Sequence, residues 1–227
     1  HCDWSSDVCS SDLIAYLLAN MAGLPVKIVM SSVEEYTASN PTHPTFVTIK
    51  SGVKRDGQIT AREVRTVHAS GAYGALKPRA YLSTHHYVGG AYRIPNTVFE
   101  FLQVYTNTVP GGYFRAPGAH QYTFALECHT DLLARELHMD TAEFRRRNIL
   151  LAGEEDGLGR PIDFLNITEV MDAALDSAGW DKPEARPGHG RGVALFGRQI
   201  GGGVAGAVLT AEADGSLAVI KIGRAHV

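Results

Sequence analysis

Residues 111–148 read GGYFRAPGAHQYTFALECHTDLLARELHMDTAEFRRRN, and the rest of the chain is organised around this stretch. Gly111, Gly112 and Gly118 permit backbone angles and close approaches that a side chain would block. Pro117 fixes its own φ and pushes Ala116 away from helical angles. The loop is therefore predicted to be stiff and to present Arg115, between Phe114 and Ala116, at the amino end of a helix. Such an end offers unpaired N–H groups and a positive dipole, which suit an anionic or oxygen-rich ligand. A Gly-Pro loop ahead of a helix also serves as a plain connection, so the local pattern leaves both readings open.

The helix is expected over residues 119–138. Leu126, Leu133 and Leu137 fall on one stripe, with Ala125 and Leu132 beside it. Glu127, Asp131 and Arg135 follow at i, i+4 spacing and read as a solvated or interfacial face with local ion pairing. Cys128 reads as a small buried residue of the same helix. Asp140, with Glu143 three residues on, signals a second, capped helix. Arg145, Arg146 and Arg147 point three ways from one turn, as ion-pairing and packing residues do.

Upstream, residues 14–22 read as a helix closed by Gly23. Residues 26–30 are a β-rich run, followed by a short acidic segment capped by Ser31 or Ser32. Residues 45–50 alternate apolar and polar, Arg55-Asp56-Gly57 makes a turn, and residues 59–67 form a second strand, predicting a hairpin. His43 reads as a structural polar contact at its start. Residues 71–92 are loop-like. There His85 and His86 are adjacent, so on an extended chain they face opposite sides and do not share one metal ion. Tyr92-Arg93-Ile94-Pro95-Asn96 leads into a strand over residues 98–106.

Downstream, residues 151–161 form a Gly-rich acidic loop and a plausible subdomain boundary. Asn166 and Glu169 start a helix that ends near Gly179. A strand is expected from Arg191, and residues 204–211 and 217–222 form a hairpin around Asp214-Gly215. Gly201-Gly202-Gly203 reads equally as a bulge or as a ligand contact. The fold class is α+β: mixed β-sheets with packed helices.

The chain has 227 residues, 44% hydrophobic and 20% charged, enough for a sizeable core and one or two domains. A net charge of −3 gives no reason to expect nucleic acid or an anionic membrane as partner. No apolar run reaches membrane-spanning length. Residues 1–12 lack the basic start and apolar centre of a secretory signal. They contain Ser-Ser-Asp twice and resemble translated sequencing-adapter sequence, as do residues 223–227; both ends are expected to be foreign to the fold. Cys2 and Cys9 have no second Cys/His pair at zinc-finger spacing, so no metal site is expected. A lone remaining thiol suits a reducing, cytoplasmic setting.

Three motifs occur in order here: Phe114-Arg115-Ala116-Pro117-Gly118; Ala134-Arg135-Glu136-Leu137 with Met139-Asp140; and Arg145-Arg146-Arg147-Asn148. Together with Tyr92-x-Ile94-Pro95-Asn96 they resemble the active-site loop and following helix of the molybdenum hydroxylases, the xanthine dehydrogenase and aldehyde oxidase family. The similarity runs from about residue 15 to about residue 220. It implies an internal fragment of a molybdopterin-binding large subunit. Residues 13–155 would form part of a first subdomain and residues 156–222 the start of a second.

The implied activity is hydroxylation at carbon of an aldehyde or N-heterocycle, with water as oxygen source. Arg115, helped by Phe114 and Ala116, would contact the molybdenum cofactor; Pro117, Ser83, Val204 and Ala205 would lie on the substrate side. Ser83 stands where purine-oxidising members place an Arg, and Val204 and Ala205 stand where they place an aromatic and a Thr. Carbon monoxide dehydrogenases carry a copper-binding Cys at the position of Ala116, which argues against that activity.

The family's glycine-rich cofactor loop would fall where residues 1–12 stand. Its "GQG" loop and its catalytic Glu base would follow the chain, so no catalytic residue is expected within it. Iron–sulfur clusters and FAD are expected on other segments or subunits, and the intact protein is expected to be oligomeric. A non-catalytic binding or assembly module that kept the fold is the alternative. A Ser/His hydrolase is disfavoured because no G-x-S-x-G elbow occurs.

Overall fold

The computed structural model describes residues 6–38, 41–73, 89–112, 118–162, 166–182, 187–196 and 207–221. The chain divides into two units: residues 1–39, 113–115 and 199–227 form one, and residues 40–112 and 116–198 the other.

In the first unit, α1 (Ser6–Ala22) ends where Gly23 turns the chain with φ +66 and its N–H returns to Ala19 O at 2.9 Å. The helix begins eight residues earlier than the apolar pattern indicated, because Ser, Asp and Cys tolerate helical angles even without an apolar stripe. Residues 26–30 are extended but pair with no strand among the described residues. β propensity reflects a fit to neighbouring strands, and alone it does not make a ladder. In α2 (Ser32–Ala38) the cap is Ser31. Its hydroxyl accepts from Glu34 N at 3.3 Å, while Glu34 Oε2 accepts from Ser31 N at 2.7 Å, a reciprocal capping box. β4 (Ala207–Ala211) and β5 (Leu217–Lys221) form the expected antiparallel hairpin around Gly215.

The second unit holds the core. β1 (Thr45–Val53) and β2 (Ile59–Ala69) form the predicted hairpin, with a register shift at Gly52/Val53. β3 (Thr97–Val104) then lies parallel to β2, Arg62 opposite Thr97 and Ala69 opposite Val104. One sheet face carries exposed ion pairs, Lys50–Glu63 at 3.7 Å and Arg65–Glu100 at 2.6 Å. The other carries the buried residues Arg62, Val64, Thr66 and His68.

The long helix α3 (Ala119–Glu136) packs against that inner face. Tyr122 meets Phe99 edge-on with ring centroids 6.1 Å apart, and His129 Nε2 lies 3.1 Å from Ser51 Oγ. Its buried stripe is Ala119, Tyr122, Leu126, Glu127, Thr130 and Ala134, while Leu133 and Leu137 pack at the margin. Leu132 is exposed, as is Cys128, contrary to the expectation of burial. Phe124, Cys128 and Leu132 are spaced by four and share the outer side of the helix.

In α4 (Thr141–Asn148), Asp140 Oδ1 accepts from Ala142 N and Glu143 N, both at 2.9 Å, confirming the expected cap. Asn148 then joins the end of α4 to the hairpin turn. Its Nδ2 donates to Gly57 O at 2.8 Å and Phe144 O at 2.9 Å, and its Oδ1 accepts from Ile59 N at 2.8 Å. α5 (Ile167–Ala178) ends on Gly179 in the left-handed region, and Met171 and Leu175 join the core. Residues 191–196 have no regular secondary structure and no strand partner among the described residues, so the strand expected from Arg191 is absent there.

Candidate functional site

The Arg115 loop is set by its two flanks. On the entry side, Gly111 N donates to Ser70 O at 3.0 Å and Gly112 N to Pro41 O at 2.9 Å. Gly111 is required by close approach: a Cβ there would sit 2.8 Å from His43 Cδ2. His43 is buried, its carbonyl accepts from Gln121 Nε2 of α3 at 3.3 Å, and burial lowers its pKa. Beside it His68, with Nδ1 2.8 Å from Thr45 Oγ1, has its pKa lowered to about 4 by burial and by the His43 charge. Both imidazoles are thus neutral near pH 7. His43, expected as a structural polar contact, packs its ring against Gly111.

On the exit side, Gly118 takes φ +81 as N-cap of α3, and among the described residues no side chain caps the first turn. No acidic residue occupies that turn either. The amino end of α3 follows the loop directly and carries the positive end of the helix dipole, which suits an oxygen-rich anionic group. Because Gly111 and Gly112 already use their amides within the protein, they fix the loop rather than serve a ligand.

The residues expected to touch cofactor (Phe114, Arg115, Ala116) and those expected on the substrate side (Ser83, Pro117, Val204, Ala205) lie outside the described residues. So do His85, His86 and the glycines at 201–203. Among the described residues, no three His, Cys, Asp or Glu side chains are grouped to hold a metal ion.

Below the loop, α3 carries a buried polar cluster that sequence reasoning assigned to the surface. Glu127 is 5% exposed, not solvated. Its Oε1 accepts from Tyr92 OH at 2.7 Å, and its Oε2 from Arg145 Nε at 3.0 Å and Leu195 N at 2.9 Å. Arg145, wholly buried, also donates to Asp131 Oδ1 at 2.7 Å. Arg135, the partner expected for Asp131, is exposed. Burial pulls the Arg145 pKa down, but Tyr92, Glu127 and Asp131 outweigh it and the net shift is upward. Burial and the neighbouring Glu127 charge raise Tyr92 well above its ordinary value, so it stays a donor.

A second buried guanidinium, Arg62, donates from Nε to Ser51 Oγ at 3.1 Å and lies 5.9 Å from the Tyr92 ring centroid. Its Nη1 and Nη2 have no hydrogen-bond partner among the described residues. The sequence did hold a signal for Glu127: Ala119, Tyr122, Leu126, Thr130 and Ala134 form an i, i+4 series whose edge includes it.

The remaining arginines behave as expected. Arg146 Nη2 pairs with Asp172 at 2.6 Å, and Arg147 Nε with Glu143 at 2.8 Å. Among the described residues no helix is long and apolar enough to cross a membrane.

Comparison with known proteins bears on the same stretch. The molybdopterin cofactor-binding domain family matches residues 6–149, which include the loop and both following helices. The chain is 31% identical to a probable xanthine dehydrogenase subunit of Bacillus subtilis over 216 residues, 89% of this chain and 28% of that protein. It is 30% identical to the nicotinate dehydrogenase large molybdopterin subunit of Eubacterium barkeri, covering 68% of this chain and 36% of that one. The solved aldehyde oxidoreductase of Desulfovibrio gigas superposes with a TM-score of 0.64 at 28% identity, over 92% of this chain and 24% of that one. The chain thus spans about a quarter to a third of the length of these relatives. With its α+β fold, its glycine-flanked loop at a helix start and this match, the chain belongs to the molybdopterin cofactor-binding domains of the xanthine dehydrogenase and aldehyde oxidoreductase family.

Proposed function

We propose that this chain forms one wall of the molybdopterin site in a longer molybdenum hydroxylase, which hydroxylates an aldehyde or N-heterocyclic substrate with water as oxygen source. The observation that carries the reading is the glycine-flanked stretch from Gly111 to Gly118 at the start of α3, inside the stretch matched by the family. Molybdopterin, when bound, supplies the redox chemistry, and the protein supplies binding and orientation. Arg115 holds the cofactor from the loop, with the backbone of Phe114 and Ala116.

Ser83, Pro117, Val204 and Ala205 take the substrate side. Ser83 and Ala205 are small there, which favours a substrate that does not need an Arg to neutralise it. The Glu base, the iron–sulfur clusters and the flavin belong to other segments or subunits. Residues 13–155 form the larger part of one cofactor-binding subdomain and residues 156–222 open the next.

The test is Arg115→Ala in the full-length protein. The expected outcome is an unchanged circular dichroism spectrum with lost turnover of aldehyde or N-heterocycle, assayed with an artificial electron acceptor. Wild-type turnover at full molybdenum occupancy would remove Arg115 from the site.

A further inference from the structure

We propose that Glu127 is a positioning residue: from the middle of α3 it fixes residues 191–196, a strap without sheet partners, at a set distance from the helix that carries the Arg115 loop. Three separate segments donate to this one carboxylate. Tyr92 comes from the segment before β3, Arg145 from α4, and the Leu195 amide from the strap. The strap has no regular secondary structure and joins no sheet among the described residues, so backbone ladders do not place it. At its start Arg191 Nη1 donates to Gly179 O and to Lys182 O, the latter at 2.9 Å. At its end the Leu195 amide reaches Glu127 Oε2 at 2.9 Å, and the Leu195 side chain is buried beside it.

The chemistry requires a carboxylate. Oε2 accepts two hydrogen bonds at once, from Arg145 Nε and Leu195 N. A neutral amide in its place loses the charge that draws both donors and has to turn its N–H either toward this pair or toward Tyr92 OH. Arg145 holds the carboxylate plane, since its own Nη1 is tied to Asp131 and to Thr141 O at 3.1 Å. Buried ion pairs are often no more stabilising than apolar residues of the same volume, so geometry rather than stability is what such a cluster specifies. The inference rests on the proposed function in one respect: the chain that follows the strap is read as substrate-facing.

The experiment compares Glu127→Gln with Tyr92→Phe in the full-length, cofactor-loaded protein. Tyr92→Phe removes one hydrogen bond to Glu127 without touching the strap. Glu127→Gln is expected to raise KM on the order of ten-fold while kcat and molybdenum content stay within about two-fold. It is also expected to abolish hydrogen-exchange protection of the Leu195 amide. Tyr92→Phe is expected to leave KM and that protection as in wild type. Equal behaviour of the two variants, with lost molybdenum and unchanged KM, would overturn the proposal and leave a purely structural cluster.

Should Glu127→Gln not accumulate, Leu195→Pro is compared with Leu195→Ala, which loses the same buried side chain but keeps the amide donor, and KM is read as the difference between the two. A KM higher in Leu195→Pro than in Leu195→Ala supports the proposal and an equal KM overturns it. A wild-type protein that carries no molybdenum defeats the functional reading instead. The Leu195 exchange comparison then still tests the anchor, and equal protection in wild type and Glu127→Gln overturns it.

Discussion

Two arginines on the inside of the second unit show how differently a buried charge can be held. Arg145 is matched by Glu127 and Asp131, whereas Arg62 has one side-chain acceptor, Ser51, and an aromatic neighbour. Removing Arg145 leaves a buried carboxylate uncompensated, so Arg145→Met is expected to cost about 3–5 kcal/mol, read from denaturant unfolding. Arg62→Met leaves no anion behind and is expected to change stability by less than about 1 kcal/mol, or to raise it. Similar losses in the two variants would contradict this.

A pH effect follows from His68. Its pKa is about 4 in the folded chain against an ordinary 6.5, so the unfolded chain binds the extra proton between those values. Its contribution to stability is complete above about pH 6.5 and is lost as pH falls toward 4, and the lowered pKa of His43 acts in the same direction. Urea midpoints measured from pH 7 to 4.5 should fall less steeply in His68→Leu than in wild type.

At the scale of elements, the Arg115 loop depends on the fit between Gly111 and the His43 ring. Gly111→Ala brings a Cβ to 2.8 Å from His43 Cδ2 and 3.0 Å from its Cγ and Nε2. Overpacking of this kind costs about 1–3 kcal/mol, and the His43→Ala background should remove most of that cost in a double-mutant cycle. Additive losses would show that the ring is not the obstacle.

The hairpin over β1 and β2, the Asp140 cap, the Gly179 stop and the β4–β5 pair were all legible, because each is written in one continuous stretch of sequence. Three features were not. The parallel pairing of β2 with β3 has no local mark, since its partners are joined by a long connection. Residues 26–30 and 191–194 have strand-like composition, but a ladder depends on a neighbour that composition does not reveal. Glu127 looked like surface because its compensation comes from elsewhere in the chain: Arg145 is 18 residues on and Leu195 is 68. Of the site itself, the loop's flanks were legible from Gly and Pro chemistry. The importance of His43 was not, since it rests on a contact with Gly111 that only folding creates.

For the whole molecule, the apolar residues of α1 are informative. Leu13, Tyr16, Leu17 and Met21 are all exposed, as are Val208, Leu209 and Leu217 of the second hairpin. Such surface in a protein of this kind is meant to be covered. Residues 13–222 expressed alone, in a host that makes the cofactor, are therefore expected to hold no molybdenum, measured as metal per chain after gel filtration. Stoichiometric metal would show that a single wall suffices.

The Glu127 cluster also gives the protein a birth order. Ribosomes add about 5–20 residues per second, so Arg145 follows Glu127 by roughly 1–4 s and Leu195 by roughly 3–14 s. During that interval the β1–β2 hairpin and Tyr92 are already outside, while α3 carries a carboxylate that water must still solvate. The helix cannot settle fully on the sheet until α4 arrives, and the strap closes over it last. A nascent chain that has released α3 from the ribosome but still holds residue 145 inside it is thus expected to display an unseated α3, a natural target for a chaperone, and one that has also released residue 195 is not.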